Sequence, residues 1–392
     1  MEKAYIPAEF DPFHLGHEYL IKRVKEHDID AVICGMSGPF AQRGEPAFFD
    51  KFARARAAVR GGADVVFQTP HIFALSPARS FAEGHIRLCE ASGCRILAFG
   101  VQGNIADKLL RSADLMKVDR VNNIISTKLK DNTPYPAARI EALEETDGGD
   151  YSFLRKPNNI LALEYLMALE RLGCSAEPFM IERLAAASAS AIRSKASEGK
   201  NISSLLPESS REEAGFSDTE DDRKRFDILF KAMLISVGAD GLKKVKELPE
   251  GTENRMISAL SELDISMEAF TAKVTSKSLT KSRARRILIN AFLGIDKDME
   301  EYFDKNPPVY FRLLAMSEAG RKAVGEITDK GQAAVIANVA DSLPHLNETS
   351  LRSILLDIKA QNFRDIFSGK YNDDYRQPPR VIPDTRNRCG FS

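Results

Sequence analysis

No stretch of the 392-residue chain approaches the roughly 18 consecutive apolar residues of a membrane-spanning helix, so no membrane partner is expected. Nor does either charge dominate. Fifty-five Lys and Arg against 56 Asp and Glu leave a net charge of −1, which excludes a basic coat over the whole surface. Any contact with nucleic acid must then be a local patch. The five cysteines (Cys34, Cys89, Cys94, Cys174, Cys389) form no CxxC pair. Their odd number and irregular spacing suit reduced thiols and exclude a disulfide framework or a zinc ribbon. HExxH and Walker-type signatures are absent too, and no dedicated metal site is expected. The first strand is expected almost at once, which leaves no visible signal peptide and makes a cytoplasmic location the expectation.

What is there alternates regularly. Short apolar runs predict strands at 3–8, 30–36, 63–68 and 95–99, with helices at 17–27, 47–60 and 78–92 between them. Continuous apolarity, as in Ala31-Val32-Ile33-Cys34-Gly35-Met36, suits parallel strands buried on both faces. The alternation implies right-handed βαβ units in a doubly wound α/β sheet, with ligands beyond the strand C-termini. A helix at 158–173 and a last strand at 177–181 complete an N-terminal domain over 1–200. Residues 201–222, rich in Ser, Glu and Asp, read as a polar linker or loop. A mainly helical region over 223–370 follows, and then an extended tail over 371–392.

The most informative stretch is Glu9-Phe10-Asp11-Pro12-Phe13-His14-Leu15-Gly16-His17, in the turn between the first strand and the first helix. A helix N-terminus offers unpaired N–H groups and a positive dipole to an anion. Gly16 lets a phosphate approach the backbone, and His14 and His17 can donate charge-assisted hydrogen bonds to it. Helix capping is the bland reading of two such histidines; the strand-to-helix setting favours phosphate chemistry. A zinc site would need a third ligand, and none lies nearby.

This stretch resembles the HxGH signature of the nucleotidylyltransferase superfamily. Three further segments narrow it: Met36-Ser37-Gly38-Pro39-Phe40-Ala41-Gln42-Arg43-Gly44-Glu45-Pro46-Ala47, Lys156-Pro157-Asn158-Asn159-Ile160-Leu161-Ala162 and Ser188-Ala189-Ser190-Ala191-Ile192-Arg193. In that order and spacing the chain is similar to the tRNA(Met) cytidine acetate ligase family, strongly from residue 4 to about 200 and weakly to about 325. The resemblance implies a Rossmann-like nucleotidylyltransferase domain that binds ATP, with Mg²⁺ as a plausible phosphate counter-ion. Glu9, Phe10, Asp11, Pro12, Phe13 and Gly16 would line the nucleotide, and Gly100, Asn159 and Arg183 match family positions against it. Two departures stand out. Asp11 replaces the usual asparagine, and the loop before the Ser-Ala-Ser motif shrinks to Leu184-Ala185-Ala186-Ala187.

The remaining candidates are each weighed against a plain structural role. Ser188, Ser190 and Arg193 open a helix and could cradle a triphosphate, or form an ordinary capped helix. Arg43 could reach a phosphate or an RNA backbone with its forked guanidinium, or sit in a glycine-shaped surface loop. Lys51, Arg54 and Arg56 read as a solvated helix face, although Lys51 and Arg54 could face substrate. Between Lys273 and Arg286 stand six cations (Lys273, Lys277, Lys281, Arg283, Arg285, Arg286) and no acid. Cations at a helix N-terminus oppose its dipole, so an anionic RNA backbone is attractive there and a solvated charge run is the alternative.

The resemblance implies an enzyme that activates acetate as acetyl-adenylate and acetylates the wobble cytidine of elongator tRNA(Met). His14 and His17 would then stabilise charge on the phosphates. A nucleotidylyltransferase for a small metabolite, or a non-catalytic tRNA-binding protein, are the alternatives.

Overall fold

The computed structural model describes residues 1–383 apart from 132, 185–187, 214–219, 262–265, 277–278 and 370–372. Five parallel strands, β1 (Lys3–Ala8), β2 (Ala31–Ser37), β3 (Val65–Thr69), β4 (Ile96–Val101) and β5 (Glu177–Glu182), lie in the order β5-β4-β1-β2-β3. The chain builds outward from β1 in one direction, then returns to β4 on its other side. The crevice between β1 and β4 is therefore the topological switch point, where such sheets bind ligands.

The helices that bear on the site are α1 (Leu15–Lys25), α2 (Lys51–Arg60), α3 (Ala78–Ser92), α4 (Pro157–Arg171), α5 (Ala189–Ser197), α6 (Glu208–Glu213), α7 (Lys281–Leu293) and α8 (Glu348–Ser368). Alternate residues of each strand go to opposite faces. Tyr5, Ile33, Phe67 and Leu97 pack with Phe81 and Ile86 of α3 and Leu163 and Leu166 of α4. Ile6, Cys34 and Met36 pack on the other face with Ile21 and Val24 of α1 and Phe52 and Val59 of α2. Two covered faces explain the unbroken apolarity of these strands.

The region expected to be mainly helical also completes the sheet. β6 (Tyr310–Ser317) pairs antiparallel with β3, and β7 (Ala334–Ile336) and β8 (Arg380–Ile382) run parallel to different halves of β6. The sheet is thus mixed, mostly parallel. The helices here have a separate core of Phe226, Phe230, Phe270 and Phe292, and into it inserts Phe40, from the loop after β2. Burying that one ring stabilises the junction by about 2–3 kcal/mol.

The described parts of the expected linker and of the expected extended tail are packed. In 201–222, α6 lies on α2: Glu213 pairs with Arg56 at 2.7 Å, and Ser210 Oγ donates to the Phe13 carbonyl at 2.7 Å. Leu206 joins Phe48, Phe49 and Ile192 in a small apolar cluster. The segment is polar because its acids answer the arginines of α2. The tail is anchored likewise. Asp374 is 2% exposed; its Oδ2 accepts from Lys51 Nζ at 2.7 Å, and its Oδ1 lies 3.5 Å from Arg312. Lys51 and Arg312 are themselves 0% and 1% exposed, so Lys51 belongs to no solvated face.

Removing one partner of a buried ion pair leaves an uncompensated charge. Asp374→Ala is expected to cost about 3–5 kcal/mol in urea unfolding. A loss below about 1 kcal/mol would mean that Lys51 and Arg312 do not depend on the tail.

Candidate active site

The β1–α1 turn builds its own cap. His14 is the N-cap of α1: its Nδ1 accepts from the Gly16 N–H at 3.0 Å, while His17 Nδ1 accepts from the His14 N–H at 3.2 Å. This is a capping box with imidazoles in place of hydroxyl and carboxylate. A Cβ on Gly16 would lie 2.9 Å from His14 Cε1, so glycine lets the ring fold back. The capping and phosphate readings of these histidines turn out to be compatible. Because each Nδ1 accepts, each ring carries its proton on Nε2, the atom left over for a ligand.

The two rings stack at 3.8 Å between centroids, and Phe10 stands edge-on to His17 at 5.0 Å. His14 Nε2 is buried with no hydrogen-bond partner among the described residues. Burial, with the nearby Arg183 charge, lowers the His14 pKa to about 4. Burial, His14 and Arg183 together hold His17 well below its ordinary value. Desolvation opposes protonation here, so both rings are neutral N–H donors, and a hydrogen bond from them to a phosphate would be charge-assisted through the anion.

A cavity of about 140 Å³ opens at the β1/β4 crevice, with Phe81, Phe99, Leu161 and Tyr165 as apolar wall and Gly16, His17, Asn158 and Arg183 among its polar lining. Glu9 and Phe10 also line it, whereas Asp11, Pro12, Phe13 and His14 lie outside the lining. Burial pushes the Glu9 carboxyl up from its ordinary value, although its Oε1 accepts from the Gln42 N–H. Gly100 lies directly beneath Arg183: a Cβ there would come within 2.9 Å of Arg183 Cγ. Both expected positions therefore meet at the cavity.

Asn159 does not face it. Its Oδ1 accepts from the Gln102 N–H at 2.8 Å, and its Nδ2 donates to the Gln102 and Phe153 carbonyls at 3.2 and 3.1 Å. It fixes the loop after β4, and Asn158, half-buried beside it, is the asparagine that lines the cavity. The sequence could not rank two adjacent asparagines at a helix start.

Ser188 caps α5 by accepting from the Ala191 N–H, and Ser190 is exposed in its first turn. Arg193 reaches the histidine turn: it donates to the Asp11 carbonyl at 2.6 Å and lies 3.3 Å from Asp11 Oδ2. Its second guanidinium nitrogen is 3.2 Å from Glu45 Oε2. The Ala185–Ala187 part of the shortened loop lies outside the described residues.

The basic run is not an open patch. Arg285 and Arg286 are 12% and 11% exposed; Arg285 pairs with Glu45 and Glu268, and Arg286 with Glu247 at 2.6 Å. Arg283 donates to the Glu247 carbonyl at 2.8 Å, and Lys281 pairs with Glu268 at 2.9 Å in an exposed setting. The run contains no acid, but folding brings acids to it from three other segments. Lys277 lies outside the described residues. Arg43 is exposed and makes no ion pair among the described residues.

Sequence reasoning misplaced Arg54. It is 1% exposed, and it donates to the carbonyls of Glu9, Ser37 and Phe49 at 2.7, 3.1 and 3.0 Å and to that of Gly38. Helical periodicity was the available signal: Phe52, Ala55 and Val59 share its buried helix.

Comparison with known proteins fits this geometry. The HIGH Nucleotidyl Transferase family model matches residues 1–377. A tRNA(Met) cytidine acetate ligase of Clostridium perfringens is 33% identical, covering 96% of this chain and 98% of that protein. The chain belongs to the tRNA(Met) cytidine acetate ligase family. A member from Lysinibacillus sphaericus is 31% identical over 87% of this chain and 90% of its own length. Among solved members of the family, Thermotoga maritima TmcAL bound with alpha-thio ATP superposes with a TM-score of 0.90. It is 28% identical and covers 98% of this chain and 100% of that one. The sheet and the histidine turn are thus described in a chain that aligns with the family nearly end to end.

The low His14 pKa has a sign that can be checked. As pH falls below about 6.5 the unfolded chain takes up a proton that folded His14 refuses until about pH 4, so stability is lost across that window. His71 and His85, lowered by burial to about 4 and about 3, add to the same slope. Imidazole NMR should place the His14 inflection near pH 4. An inflection near 6.5 would reject the neutral, desolvated pair.

Proposed function

We infer that this protein is an ATP-dependent ligase that activates acetate and acetylates the wobble cytidine of elongator tRNA(Met), acting in the cytoplasm. The single observation that carries the reading is the imidazole capping box at the start of α1, whose His17 ring lines the cavity at the switch point with His14 stacked behind it. An acetate oxygen attacks the α-phosphorus, the bond to the β-phosphate oxygen breaks, and pyrophosphate leaves with that electron pair. The exocyclic amine of the cytidine then attacks the acetyl carbonyl. AMP departs as the C–O bond breaks, and the amine gives up one proton.

The chain's residues act mainly by position and charge. The His14 and His17 Nε2–H groups and the α1 N-terminus meet the negative charge that builds on the phosphates, preorganised by the capping box. Arg183 and Arg193 supply full charges on either side of the turn. The apolar wall of Phe81, Phe99, Leu161 and Tyr165 suits a purine and keeps water from a reactive mixed anhydride. Among the described residues no group of three or more His, Cys, Asp or Glu could hold a metal, so Mg²⁺ is assigned to the triphosphate as its own counter-ion. On the RNA side, Arg43 and Lys281 remain the surface members of the predicted phosphate contacts.

ATP–pyrophosphate exchange tests the reading. Acetate-dependent exchange is expected, falling by roughly 10²–10³ in His17→Ala. Undiminished exchange in that variant would remove the histidines from the chemistry, and no exchange with acetate, with or without tRNA, would reject adenylation. Joint replacement of Arg43 and Lys281 by Ala should weaken tRNA binding and flatten its salt dependence by roughly 0.7–0.9 of a log unit per lost contact. An unchanged salt slope would place the RNA elsewhere.

A further inference from the structure

Glu45 holds two guanidiniums from distant parts of the chain. It sits in a small hairpin closed by a bridge between Phe40 and Pro46, with the Ala41 N–H donating to the Glu45 carbonyl at 2.9 Å. One carboxylate oxygen faces Arg193 of α5 at 3.2 Å; the other accepts from Arg285 of α7. Arg193 also donates to the Asp11 carbonyl, so the pair of arginines lies at the histidine turn rather than on a remote surface.

The placement of Arg285 is tightly fixed. Gly44 has φ +76°, and a Cβ on it would lie 2.6 Å from Arg285 Cβ and 2.7 Å from the Arg286 nitrogen. The hairpin tip is therefore pressed onto the second turn of α7, with no slack between them. Arg286, the next residue, is engaged by the Glu247 carboxylate, and Arg283 by the Glu247 carbonyl. Among the described residues Arg285 shares the Glu45 carboxylate with the active-site arginine, while its other guanidinium nitrogen pairs with Glu268.

Two forked guanidiniums converging on one oxyanion form an arrangement suited to a phosphate. A carboxylate presents one charge and two oxygens to it. A terminal phosphate presents more of both, so it outcompetes the carboxylate for the same donors. We propose that Arg285 is a triphosphate-binding residue supplied by the helical region, and that Glu45 is the internal anion displaced from Arg193 and Arg285 when the β- and γ-phosphates bind. This rests on the reading of ATP as substrate given above. It makes the helical region a participant in nucleotide binding, and pyrophosphate departure returns both arginines to Glu45.

Calorimetric titration of ATP, AMP and bulk tRNA, without acetate, tests it on the full chain. Glu45→Gln removes the competing charge and is expected to tighten ATP roughly five- to tenfold while leaving AMP unchanged. Arg285→Met is expected to weaken ATP by a similar factor, again with AMP unchanged. If Arg285→Met does not fold, the Glu45→Gln result decides alone. Equal changes for ATP and AMP, or none, would overturn the proposal and leave the ligase reading intact. A Glu45→Gln effect on tRNA and not on ATP would also overturn it, assigning Arg285 to an RNA phosphate. Failure of the wild-type chain to bind ATP at all would reject the ligase reading, and this proposal with it.

Discussion

Arg54 joins the ends of two strands that would otherwise be held only at their cores. Its guanidinium donates to carbonyls at the end of β1 (Glu9), at the end of β2 (Ser37), in the following loop (Gly38) and before its own helix (Phe49). Burial lowers its pKa to about 10, so it still carries a full charge at neutral pH. A buried guanidinium is tolerated only when its donors are met, and here the acceptors are backbone groups that strand pairing leaves over. The histidine turn and the Glu45 hairpin both hang from those carbonyls. This one side chain ties the starts of both loops to the strand ends and to the start of α2.

Above that anchor the site is a layered cap. Phe10 and Phe13 support the imidazoles, the imidazoles close the helix start through Nδ1, and each Nε2 is left for a ligand. Stability and chemistry use opposite edges of the same rings. Desolvation keeps the rings neutral, which avoids two adjacent positive charges in the free protein.

How much of this could be read from the sequence depends on the range of the interaction. Strands β1 to β4 and α3 were legible because continuous apolar runs and helical spacing are local. The His14-Leu15-Gly16-His17 turn was legible because its cap closes within four residues. β6 was overlooked: Tyr310 to Met316 is a strand-like apolar run, but it sits among helices and pairs with β3 from far away in sequence. The basic run failed as a surface patch for the same reason, since Glu45, Glu247 and Glu268 come to it only in three dimensions. Asn158 and Asn159 show the finer limit: the amide turned inward is chosen by Gln102 and Phe153, which no local pattern reveals.

The antiparallel pairing of β6 with β3 also bears on how the protein is made. A nascent chain completes β3 at Thr69 but acquires its neighbour only at Ser317. At about 5–20 residues per second, the β3 edge stays open for roughly ten to fifty seconds. An uncovered, apolar strand edge is a template for pairing with other chains. Phe40 waits over much of the same interval for the aromatic cluster that will receive it. The first half of the chain thus emerges as an unfinished sheet, open at its β3 side until β6 arrives.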